Sequence, residues 1–140
     1  MSLAVRQALF TKLKGTSGVT THVGGTTNPR IFHEMSPPDA AYPLVIFSKM
    51  AGTKTRAFQT PNAFNREVWM VKAVDRNTTS NTAEAIAAAV DTALDGGTMT
   101  VTGKQLADMT HVGDIEYLEP DGDQQYRHVG STYAVTLTAT

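Results

Sequence analysis

Four histidines, His22, His33, His111 and His128, are the side chains best suited to hold a metal or move a proton near neutral pH. No two of them stand three or four residues apart, the separation that would place two ligands on one helix face. No metal site follows from their spacing. Asp121 and Asp123 flank Gly122, but the further ligands and closing Glu of a calcium loop are absent, so these carboxylates read as turn formers. Asp91 and Asp95 lie one helical turn apart and read as solvated surface. Nucleophilic catalysis fares no better. There is no cysteine and no Gly-x-Ser-x-Gly elbow. Gly24-Gly25-Thr26 has no helix pattern after it, and Gly96-Gly97 follows a helix pattern instead of a strand, so no phosphate-binding loop is present. Asn77-Thr78-Thr79 fits a glycosylation sequon, yet at this place it serves as a helix cap. No enzyme chemistry, cofactor or metal is expected.

Two features point instead to contact with other proteins. The stretch 52–62 is polar and Thr-rich, contains Pro61, and reads as a loop too long for an ordinary hairpin connection. Lys49, Lys54, Arg56 and Arg66 make it a basic run that suits an acidic partner surface. The segment 64–74 then alternates with period two, with apolar residues on both sides. One side carries Phe64, Arg66, Val68, Met70 and Lys72; the other carries Asn65, Glu67, Trp69, Val71 and Ala73. A strand of this kind is covered on one face and meets something else on the other, and Trp69 is the residue type that anchors interfaces. Lys54, Arg56, Phe58, Arg66 and Trp69 are therefore the candidate contact residues.

The elements that must position them follow from pattern and punctuation. Residues 2–14 carry a helical stripe of Leu3, Leu9, Phe10 and Leu13, stopped by Gly15. A Gly- and Thr-rich loop runs over 16–30, with Val19 and Val23 turned inward. Ile31 to Met35 is a short strand before the Ser-Pro-Pro-Asp turn at 36–39, and Tyr42 to Met50 is the most apolar strand. Ala83, Ile86, Ala87, Val90 and Leu94 form the stripe of a second helix ended by Gly96-Gly97. Strand pieces at 99–101, 106–112 and 115–118 precede an acidic turn at 119–123, and 125–138 closes the chain with Tyr133, Val135 and Leu137 facing the core. The expected fold is α+β: a mostly antiparallel sheet of about four strands with two α-helices on one face, one domain over 1–140.

Composition agrees. The chain of 140 residues is 41% apolar and 18% charged, with formal net charge −1. That balance excludes a general nucleic-acid binder, which needs a Lys/Arg surplus to meet phosphates. No apolar run is long enough to span a bilayer, and the N-terminus lacks the pattern of an export signal, so no membrane association is expected. Threonine, with 21 residues, is the strongest bias, and it suits exposed strand faces and loops.

These phrases, in this order, resemble the small tail terminator or tail completion proteins of long-tailed bacteriophages. The resemblance rests on the N-terminal helix, Ile31-Phe32, and the Pro-containing turn before Tyr42-Pro43-Leu44-Val45-Ile46-Phe47. It continues through Glu67-Val68-Trp69-Met70-Val71-Lys72-Ala73, the Ala-rich helix Thr82–Leu94 ending in Asp95-Gly96, and Tyr126-Arg127-His128-Val129. It implies a structural virion protein, assembled in the host cytoplasm as a homo-oligomeric ring, usually a hexamer, at the head-proximal end of the tail. Its partners would be the tail tube protein and the head–tail connector or stopper, with genomic DNA passing through the lumen without specific binding. Two other readings fit the residues: a head completion or stopper protein of the neck, and a small host module that binds peptides by strand addition.

Overall fold

The computed structural model of the protein describes residues 2–57, 60–76 and 79–139. Among these residues the chain forms, in order, α1 (Ser2–Lys14), α2 (Ser17–Thr20), β1 (Ile31–His33), β2 (Leu44–Ala57), β3 (Thr60–Asp75), α3 (Asn81–Leu94), β4 (Lys104–Asp121) and β5 (Gln124–Ala139). The strands make one sheet in the order β1-β2-β3-β5-β4, with β1 parallel to β2 and every other pair antiparallel. The α+β class and the antiparallel majority match the sequence expectation. The sheet has five strands instead of about four, and α2 is a third helix inside the stretch expected to be loop.

Alternation places the core on one face of the sheet. Val45 and Phe47 of β2, Trp69, Val71 and Ala73 of β3, and Tyr133, Val135 and Leu137 of β5 are all buried there. Against them pack Val5, Leu9 and Leu13 of α1, Val19 of α2, and Ala83, Ile86, Val90 and Leu94 of α3. The stripe on α1 thus runs through Val5, and Leu3 is turned out to solvent. The segment after α2 is held by Arg30, whose Nε donates to the Pro43 carbonyl at 2.9 Å and whose Nη2 donates to the His22 carbonyl at 3.2 Å. Val23 is buried behind this tie, as its apolar character requires.

Two stretches are more regular than the sequence reading has them. The segment 52–62 is not a loop: β2 runs on to Ala57 and β3 starts at Thr60, so the two strands form a long hairpin arm. Its threonines are β-branched and find cross-strand partners, as in Thr53 opposite Arg66 and Thr55 opposite Phe64. Pro61 is tolerated because pairing of β3 with β5 begins only at Phe64, so the missing donor costs no ladder bond on that side. Likewise, 106–112 and 115–118 are one strand, β4. Two bulges interrupt it, between Leu106 and Asp108 and between His111 and Gly113, and they re-aim the chain without ending it. Residues 99–101 are not in a strand.

Candidate interaction surface

The helices all lie on one side; on the other face the row of Leu44, Val74 and His128 is buried, and the rows beyond it carry no helix. Those rows can be read from the register. Ile46, Lys72, Gly130 and Ile115 form one; Ser48, Met70, Thr132 and Gly113 the next; Ala51, Val68, Ala134 and Thr110 a third; Thr53, Arg66, Thr136 and Asp108 a fourth. The middle rows are small, apolar or hydroxylated, with Met70, Val68 and Ile115 only half-buried. The contact expected on the second side of 64–74 therefore has a real surface to meet, flat and poor in charge.

Charge gathers at the two ends instead. Residues 50–66, the hairpin arm, hold Lys54, Arg56 and Arg66 and no carboxylate. Residues 114–123 hold Asp114, Glu116, Glu119, Asp121 and Asp123 and no Lys or Arg. The register sets these groups at opposite ends of the sheet. Phe64 of the arm sits beside Thr138 at the close of β5, while Asp121 sits beside Gln124 at its start. The basic run was visible in the sequence. The acidic stretch was read only as a turn, since nothing local shows that the carboxylates share one sheet edge.

The candidate contact residues separate. Lys54 and Arg66 are exposed on the arm. Arg56 lies in β2, and Phe58 falls outside the described residues. Trp69 does not join them: it is fully buried on the helix side, three positions along β3 from Arg66 and on the opposite face. Its indole Nε1 donates to Glu67 Oε1 at 2.9 Å, and its ring packs near Phe47 and His33, with centroids 6.2 and 6.1 Å away. A residue so enclosed holds the core together and is not available as a surface anchor.

Two histidine clusters, invisible in the spacing, rivet the acidic hairpin. His111 Nδ1 lies 2.8 Å from Asp91 Oδ1, which also accepts from the Tyr133 hydroxyl at 3.0 Å, and His111 Nε2 lies 3.0 Å from Asp114 Oδ1. The His111 backbone N–H donates to Asp95 Oδ1 at 2.9 Å, so the end of α3 is fastened to β4. The hydrogen bond from Asp91, helped by its charge and by Asp114 and Asp95, holds the His111 imidazole above the usual 6.5, against partial desolvation. Burial raises the Tyr133 phenol, and its bond to Asp91 raises it further. His128 goes the other way. Its ring stacks on Tyr117 with centroids 4.2 Å apart, and Nε2 donates to Glu119 Oε1 at 2.9 Å. Desolvation pushes its pKa down, only partly offset by Glu119.

A pH test of the first cluster follows. A raised folded-state pKa stabilises fully below the unfolded value of 6.5, and that stabilisation fades as pH rises through the folded value. Relative to His111→Gln, the wild type should therefore lose stability as pH rises from 6.5 through the raised folded-state value, read as urea midpoints. A difference that stays constant across that range would remove His111 from any proton-linked role.

Acid, base and hydroxyl meet around Asp91, but the Tyr133 ring is buried, so its hydroxyl reads as part of the packing. Among the described residues, no three His, Asp or Glu side chains are grouped to hold a metal ion, and no helix is long and apolar enough to cross a membrane.

Comparison with known proteins agrees with this architecture. No curated protein sequence is significantly similar to the chain. Among solved structures, a chain from the virion of a native gene transfer agent particle superposes with a TM-score of 0.74 at 18% identity, covering 97% of this chain and 96% of the other. A second solved structure has a TM-score of 0.59 at 19% identity, covering 96% and 95%. At such identities these likenesses show a shared fold. The family model for tail completion protein gp17 matches residues 7–137, from within α1 to near the end of β5. The chain therefore belongs to the tail completion protein gp17 family, a family of structural tail proteins and not of enzymes.

Proposed function

We propose that this chain forms a ring, a hexamer, that caps the head-proximal end of the tail tube, stops the tube growing and offers the head connector its docking surface. The observation that carries this reading is the family match over nearly the whole chain. The shape of the molecule supports it. A heterologous contact repeated by rotation closes a ring, and such a contact needs two different surfaces on one subunit. The basic arm and the acidic hairpin, at opposite ends of one sheet, are two such surfaces. A charge-poor sheet face is also suited to border a passage for DNA, because it offers phosphates little to bind. In this reading the partners are further copies of the chain, the tail tube protein and the connector, and the ring assembles in the host cytoplasm before joining the particle.

Particles made without this protein decide the matter. Electron microscopy should show full heads separated from tails, with tails of irregular or excessive length. A reconstruction of the complete particle should place six copies between tube and connector. Normal-length tails attached to heads in its absence, or density for the chain elsewhere in the neck, would overturn the terminator role.

A further inference from the structure

The sheet ends in two strand edges that, among the described residues, no further strand completes. On one side, β1 covers β2 only from Val45 to Phe47, with Glu34 N–H adding one bond to the Phe47 carbonyl. Beyond it, among the described residues, no strand pairs with the outer side of 50–57. On the other side, β4 is the edge strand. Its middle is sealed by the end of α3, where Gly96 N–H donates to the Met109 carbonyl at 2.8 Å and Asp95 accepts from His111 N–H. Among the described residues, no strand pairs with the outer side of 113–121. Proteins normally blunt such edges, because a row of unpaired N–H and C=O groups recruits another strand.

The two stretches are matched in length, direction and charge. One spans eight residues and the other nine. From β2 through β3 and β5 to β4 each step is antiparallel, so β2 and β4 run in opposite senses. Copies related by rotation about an axis inclined to the strands, as strands are in a closed barrel, would bring 50–57 and 113–121 together antiparallel. The first stretch carries Lys54 and Arg56 with no acid, and the second carries Asp114, Glu116, Glu119 and Asp121 with no base. Register puts Lys54, through Asn65 and Leu137, on the helix side of the sheet. Asp114 and Glu116, through Ser131 and Val129, are on that same side. A continued sheet would therefore set like faces and opposite charges side by side.

We infer that the partner of these edges is a second copy of the chain, the 50–57 edge of one subunit adding antiparallel to the 113–121 edge of the next. This rests on the ring reading and names the contact that closes it. Because the stretches lie at opposite ends of the sheet, neighbours are staggered along strands that slant around the ring axis, and β1 fills the remaining part of the β2 edge below the incoming strand. A closed ring built this way has none of these edges left open.

Charge reversal with exchange tests it. Lys54→Glu with Arg56→Glu makes an arm variant; Glu116→Lys with Asp121→Lys makes an edge variant. Light scattering compares self-association, alone and on purified tail tubes, with circular dichroism as the check on folding. Each variant alone should associate about a hundredfold more weakly than wild type, since like charges would face each other at every junction. An equimolar mixture should regain wild-type size, because each reversed edge then meets an opposite one. Unimpaired assembly of either variant alone, or a mixture that stays dissociated, overturns the edge pairing and leaves the ring intact. A wild-type chain that never self-associates, alone or on tubes, overturns the ring reading and this inference with it.

Discussion

Replacing Trp69 with alanine should destabilise the folded chain by about 3–5 kcal/mol, the range for removing a large buried aromatic side chain from a packed core. Trp69 is fully buried at the centre of the sheet's helix side, where it fills the space between Phe47 and His33. Two costs add. Truncation opens a cavity beneath α1, and it takes the indole donor from Glu67, a carboxylate that is itself buried. Trp69→Phe separates them: it keeps most of the volume and loses only the donor, so its cost should be nearer 1–3 kcal/mol. Urea unfolding measures both. If Trp69→Ala lost assembly while keeping its unfolding free energy within about 1 kcal/mol of wild type, the residue would be an interface anchor after all.

The second large effect should appear in the particle and leave the isolated chain nearly untouched. Lys54 stands directly opposite Asn65, so residues 55–64 can be replaced by Asn-Gly to close the hairpin with a two-residue turn. The deletion takes away the tip of the arm and spares every core residue of β3 from Glu67 onward. The melting temperature should move by no more than about 4 °C, the shift that roughly 1 kcal/mol produces in a domain of this size. Plating should nevertheless fall to background, with heads and tails found apart. A truncated-arm phage that plates like wild type would reduce the arm to an unoccupied projection.

The parts of this fold that could be read from residues alone were those with a one-sided period. The stripe Ala83, Ile86, Val90 and Leu94 marks α3, and Tyr133, Val135 and Leu137 mark the inner face of β5; all are buried. The arm was misread because Gly52, Pro61 and three threonines carry the composition of a loop, and Ala57 and Phe58 stand side by side instead of alternating. It is a strand pair held by its own cross-strand pairing. Trp69 was expected at a contact and lies buried under the helices, since alternation tells which residues share a face but not which face the helices cover. The Asp91–His111–Tyr133 contact joins positions 20 and 42 residues apart from Asp91, a link that local spacing does not contain.

The seam between β3 and β5 has a further consequence for how the chain comes into being. Each hairpin closes between neighbouring strands, but the seam joins Asp75 to Arg127 and Phe64 to Thr138, the most distant pairings in the sheet. Contacts of such long separation are the slow ones, because a large loop must be closed before they form. During translation at 5–20 residues per second, the first hairpin is complete at Asp75 roughly 3–13 s before Ala139 emerges. For that interval the inner side of β3 has no β5 beside it, and Phe47, Trp69 and Val71 are roofed only by what precedes and then by α3. The alanine-rich helix, made between the two hairpins and packed finally against both β3 and β5, is placed to shelter the half-built sheet until its other half arrives.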